Sequence, residues 1–83
     1  MQQIIMYSLF VGNYKSPSIT KSDVSKLNNL GLRGFVFSRG DHYSLKVYSS
    51  PNYENIKTVK EKLERNGFQV EVDEINLTKN LHI

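Results

Sequence analysis

At 83 residues and 39% hydrophobic content, the chain has enough apolar material for one domain with a shallow core, and is too short for two. It contains no cysteine, which excludes disulfides and thiolate metal sites, and no apolar run approaches the roughly 20 residues of a membrane helix, which argues against insertion by a helix. The formal charge of +3 is mildly basic and leaves nucleic acid, anionic glycan and plain solubility all open.

Taken in chain order, the first element is a strand over about Met6 to Val11, with a start as early as Ile4. Leu9 and Val11 share one parity; Ser8, Phe10 and Gly12 share the other, so a core under Leu9 sends Phe10 the opposite way. Lys15-Ser16-Pro17-Ser18 reads as a loop, and Thr20 as an N-cap with Asp23 in capping-box position. A short helix with Val24, Leu27 and Leu30 on one stripe ends at Gly31, the C′ residue. A strand over about Leu32 to Ser38 follows, then an Arg39-Gly40-Asp41 turn. The third strand alternates Tyr43, Leu45 and Val47 against Ser44, Lys46 and Tyr48. After Ser49-Ser50-Pro51-Asn52, loop and cap, comes the best-marked helix. Tyr53, Ile56, Val59 and Leu63 form its core stripe, charged residues cover the rest, and Glu61 and Arg65 sit at i, i+4. Gly67 closes it. The last strand alternates Phe68, Val70 and Val72 against Gln69, Glu71 and Asp73. Residues 76–83 are a tail that frays or forms one more short element.

The order is β-α-β-β-α-β, and the two halves repeat: Leu9 and Val11 correspond to Leu45 and Val47, Leu27 to Leu63, Gly31 to Gly67, and Val36 to Val72. Two such halves predict a ferredoxin-like α+β sandwich, a four-stranded antiparallel sheet with both helices on one face. One domain over 1–83 is expected, its core at about 7–73. The bare face then carries Phe10, Phe35, Phe37, His42, Lys46, Tyr48, Gln69 and Glu71, beside Arg33 and Arg39. Aromatics with cationic edges on an uncovered face mark an interaction surface. Three other readings stay open. "GFVF" is ambiguous in parity, so Phe35 and Phe37 are alternatively core residues. The tail, with Leu77, Leu81 and Ile83, is long enough to fold over the face. Two copies are able to pair their faces in a homodimer.

From about Tyr7 to Val72 the chain resembles the SPOR family of peptidoglycan-binding domains. The first half is "LFVGNYKSPSITKSDVSKLNNLGLRGFVF" and the second "YSLKVYSSPNYENIKTVKEKLERNGFQVEV". Gly12, Tyr14, Gly31, Phe35 and Gly67-Phe68 stand where that family has Gly, an aromatic, Gly, an aromatic and Gly-aromatic. The resemblance implies a non-catalytic module that binds peptidoglycan glycan strands, typically stripped of their stem peptides, on the bare sheet face. By position it implicates Phe10, Asn13, Phe35, His42, Ser44, Gln69 and Glu71; the bare-face parity adds Lys46 and Tyr48. Phe10 replaces the family's usual first-strand Gln, and Tyr48 its second-half Gly. The implied location is the cell wall if the chain belongs to a longer exported protein, and the cytoplasm otherwise, because "MQQIIMYSLFVG" has no basic n-region or cleavage site.

A second resemblance is to the RNA recognition motif. "LFVGNY" is similar to that family's first-strand motif, and "RGFVF" to the start of its second, although here it lies on the second strand rather than the third. This makes RNA the alternative partner, with bases stacking on Phe10 and Phe35 or Phe37. A protein-interaction or assembly role is the third option. Chemistry is not expected. The histidines are His42 and His82, with no spaced ligand set for a metal and no cofactor motif. Asp73 and Glu74 point to opposite faces of a strand, so they make no acid/base pair. "GNYKSP" lacks the Gly-Lys-Ser/Thr ending of a phosphate loop.

Overall fold

The computed structural model describes residues 4–18 and 21–77. The elements are β1 (Ile5–Tyr14), α1 (Lys21–Asn29), β2 (Phe35–Ser38), β3 (Tyr43–Ser50), α2 (Tyr53–Arg65) and β4 (Val70–Asn76). The sheet order is β2-β3-β1-β4, every neighbouring pair antiparallel. This is the α+β, ferredoxin-like arrangement that the element order predicts, with both helices on one face. The expected Thr20 cap and the tail beyond Leu77, including Leu81, His82 and Ile83, lie outside the described residues.

Both helices stop by the same device. Gly31 takes a φ of 78° and Gly67 a φ of 85°, the left-handed region that glycine enters without steric cost. In α1 the Gly31 amide donates to the Asn28 carbonyl and the Leu32 amide reaches back to Leu27 at 2.9 Å. In α2 the Gly67 amide donates to Glu64 and the Phe68 amide to Leu63 at 3.1 Å. These are two copies of one Schellman cap, and the residue after each glycine packs against the core beside the helix it closes. At the other end of α2, the Asn52 side chain accepts the Glu54 amide at 2.9 Å, satisfying one of the open N-terminal donors.

The core lies between the sheet and the helices. Leu9 and Val11 of β1, Leu45 and Val47 of β3, Leu27 of α1, and Ile56 and Leu63 of α2 are all buried in it. The helix α2 spans β1, β3 and β4, whereas α1 buries Leu27 alone, leaving Val24 exposed and Leu30 half-buried. Tyr53, expected on the α2 stripe, sits at its exposed end, its ring edge-on to Tyr7 at 5.2 Å. The α2 ion pair that forms is Lys60–Glu64 at 3.0 Å, one residue before the Glu61–Arg65 spacing expected. Asp23, expected to cap α1, accepts the Tyr14 hydroxyl at 2.6 Å. Burial and this bond hold the Tyr14 phenol well above its ordinary pKa.

The pairing of β1 with β3 contains an irregularity that moves one side chain across the sheet. Phe10 lies opposite Lys46, but Leu9 lies opposite Tyr48, so β3 has one residue more than β1 at this point. A bulge of this kind breaks strict alternation. Val47 and Tyr48 therefore both face the helices, and Tyr48 packs against the core. The expectation of Tyr48 on the bare face is corrected accordingly.

Candidate functional site

With the helices on one side, no helix among the described residues covers the other side of the sheet, and β2 resolves the ambiguity of "GFVF". Val36 pairs with Leu45, which is core, while Phe35 pairs with Lys46 and Phe37 with Ser44. Phe35 and Phe37 point away from the helices and remain 60% and 42% exposed. One row runs across all four strands: Phe35 on β2, Lys46 on β3, Phe10 on β1 and Glu71 on β4. The next row holds Phe37 and Ser44, with Gln69 beyond Gly12, whose amide donates to the Gln69 carbonyl at 3.2 Å. On the other side lie Ser49, Ser8 and Asp73, the two serine hydroxyls 2.9 Å apart.

The expected residues meet this surface in different ways. Lys46 is half-buried, its ammonium 5.6 Å from the centre of the Phe37 ring. Gln69, Glu71 and Asn13 are exposed. Ser44 shares the face but is fully buried, its hydroxyl donating to the Gly12 carbonyl at 3.1 Å, so it braces β1 at a second register shift, between Val11 and Tyr14, and is closed to a ligand. His42 lies in the turn before β3. Its Nδ1 is 2.8 Å from the Asp41 carboxylate, and its buried Nε2 has no protein partner. The imidazole beside it holds the Asp41 carboxyl below the usual carboxylate range.

Phe10 departs most from expectation. It lies on the bare face, as parity requires, yet is only 6% exposed. The cover is Arg39, from the end of β2, whose guanidinium lies 4.0 Å over the ring. Phe37 meets the same ring edge-on at 5.8 Å. Arg39 continues across to β4, where Asp73 accepts two bonds, at 2.5 and 2.7 Å, and Glu71 lies at 3.4 Å. Two parallel N–H donors on one carboxylate make the strongest geometry available to this pair. Asp73 holds the guanidinium above its ordinary pKa, and Arg39 holds the Asp73 carboxyl below its own. The sequence places Arg39 at the cationic edge of this face but gives neither its cover over Phe10 nor its pairing with Asp73. The signal for Arg39 was its place on the bare-face parity beside Phe37.

The exposed rings of this surface are suited to stacking and its amide side chains to hydrogen bonding. Among the described residues, no group of three His, Cys, Asp or Glu side chains is placed to hold a metal ion, and no helix is long and apolar enough to cross a membrane. The charges on the strands nearly cancel, since Arg39 faces Asp73 and Glu71, while Lys46 lies beside the Phe37 ring and Arg33 is exposed just before β2.

Neither a family model nor a curated protein matches this chain. In structure it is similar to the solution structure of the peptidoglycan-binding domain of CwlC, a cell wall lytic enzyme of B. subtilis. The TM-score is 0.60 at 17% sequence identity, over 86% of this chain and 90% of that one. At that identity the likeness establishes the shared fold.

Proposed function

We propose that this chain is a non-catalytic binding module that holds peptidoglycan glycan strands on its bare sheet face, in the manner of the SPOR domains its sequence resembles. The observation that carries the reading is the exposed pair Phe35 and Phe37 with Lys46 beside them, on a sheet face whose charges are otherwise balanced. Exposed rings pack against the apolar C–H faces of sugars. Gln69 and Asn13 supply amide donors and acceptors for hydroxyl and N-acetyl groups. The similarity in fold to a domain that binds peptidoglycan supports the same choice of ligand. Where the chain is part of an exported protein, the module would anchor that protein to the wall.

The balanced charge also separates glycan from RNA. Single-stranded RNA binding depends on counterion release and weakens steeply with salt, with a slope near −0.7 per phosphate contacted. A neutral sugar polymer releases few counterions. The test is sedimentation with purified peptidoglycan across a salt series. Binding should persist at about 0.5 M salt, where the screening length is only some 4 Å, and should be lost in Phe35→Ala. No sedimentation at any salt, together with salt-sensitive binding to short single-stranded RNA, would overturn the proposal in favour of the nucleic-acid reading.

A further inference from the structure

The row Phe35–Lys46–Phe10–Glu71 is the natural track for a chain of sugars lying across the strands. It spans about 14 Å at the usual strand spacing of some 4.8 Å. In the resting structure half of that track is closed, because Arg39 covers the Phe10 ring.

Without the guanidinium, the ground beneath it is an aromatic ring bordered on β4 by two carboxylates, Glu71 opposite Phe10 and Asp73 opposite Ser8. A flat apolar ring beside carboxylate acceptors is complementary to a pyranose: the ring takes the C–H face and the carboxylates accept from adjacent hydroxyls. Arg39 satisfies the same two demands from within the chain, with its planar face on Phe10 and its N–H groups on Asp73 and Glu71. It occupies the place of a ligand.

We propose, resting on the glycan reading above, that Arg39 is a lid over a second sugar subsite formed by Phe10, Glu71 and Asp73, and that glycan opens it by replacing the guanidinium on the ring and the carboxylates. The lid is a side chain and not a loop. The Arg39 backbone is fixed by its amide, which donates to the His42 carbonyl at 2.8 Å, so opening needs only rotation about side-chain bonds. The resting surface offers the Phe35 and Phe37 subsite alone; the open surface offers both. Arg39 thereby lowers the affinity for glycan by the fraction of molecules in which it is shut.

Titration calorimetry of the full chain with peptide-free glycan strands tests this with Arg39→Ala and, if that fails to fold, Arg39→Gln, whose shorter neutral side chain lacks the guanidinium that binds Asp73 and Glu71 over the Phe10 ring. Both variants should bind about three- to tenfold more tightly than the wild type, the factor by which a mostly closed state reduces apparent affinity. In the wild type, the Arg39 Nη protons, which bond Asp73 and Glu71, should exchange slowly in the free protein and quickly in the glycan complex, by NMR. Equal or weaker binding by a folded variant while the wild type binds overturns the lid and leaves the glycan reading standing. Arg39 Nη signals unmoved by saturating glycan do the same. Failure of wild type and variants alike to bind overturns both.

Discussion

The two halves of the bare face contain the same kind of residue in opposite states. On β2, Phe35 is 60% exposed; two strands away in the same row, on β1, Phe10 is 6% exposed. Neither is covered by a helix. The difference comes from position in the sheet and from one long side chain. Phe10 is on an inner strand, with β3 on one side and β4 on the other, within reach of an arginine that has two carboxylates to bind. Phe35 is on the edge strand, beyond which no further strand of the described residues lies. An uncovered sheet face is thus not uniformly open: ion pairs anchored on neighbouring strands close the middle and leave the edge.

The strongest way to break this comparison is Phe10→Ala. It removes a buried ring that supports Arg39 and meets Phe37, and should cost about 3 kcal/mol, the low end for such truncations because Arg39 is able to settle into the space. Chemical denaturation reads this as a lower midpoint, and a midpoint equal to that of Phe35→Ala would show the halves to be alike. Asp73→Asn comes next. It weakens a half-exposed ion pair with two hydrogen bonds and should cost about 1 kcal/mol at neutral pH.

The pH dependence of that cost follows from the sign of the shift. The Asp73 carboxyl is held below its ordinary value by Arg39. Its contribution is therefore fully present above the unfolded value of about 3.9 and is lost as pH falls through the lower folded value. Melting temperatures of wild type and Asp73→Asn should run parallel from neutral pH to about 5 and converge below about 4. Parallel curves at all pH would show that Asp73 does not hold the lid.

Phe37→Ala tests the boundary between the halves. Its ring is exposed but touches Phe10 edge-on, so a loss of about 0.5–1.5 kcal/mol is expected, the value of an aromatic pair. Phe35→Ala should stay within about 0.5 kcal/mol, as a surface change, while abolishing sedimentation with peptidoglycan. A large loss of stability at Phe35 would mean that its ring is covered in solution.

Much of this architecture was legible in local patterns. The glycines at the helix ends, the Leu27 and Leu63 positions and the Asn52 cap each depend on residues a few positions apart, while the outward parity of Phe35 and Phe37, ambiguous locally, was suggested by the repeat and decided by the pairing of β2 with β3. The site was legible only in part. Phe10, Lys46, Gln69 and Glu71 were correctly placed on the bare face by alternation. Tyr48 was not, because alternation fails at a bulge, and a bulge is a property of two paired strands. Ser44 was placed on the correct face but not recognised as buried, since its acceptor is a carbonyl on β1.

By itself, then, the sequence determined the order of elements, the places where helices stop and which side of each regular strand is apolar, because those depend on periodicity and on backbone preferences of single residues. Only the tertiary structure decided which aromatic is open. Arg39 and Asp73 are distant in the chain and lie on the outermost strands of opposite sheet edges, β2 and β4. Their bond exists because the guanidinium reaches across the intervening strands over Phe10, and no local pattern encodes a distance of that kind.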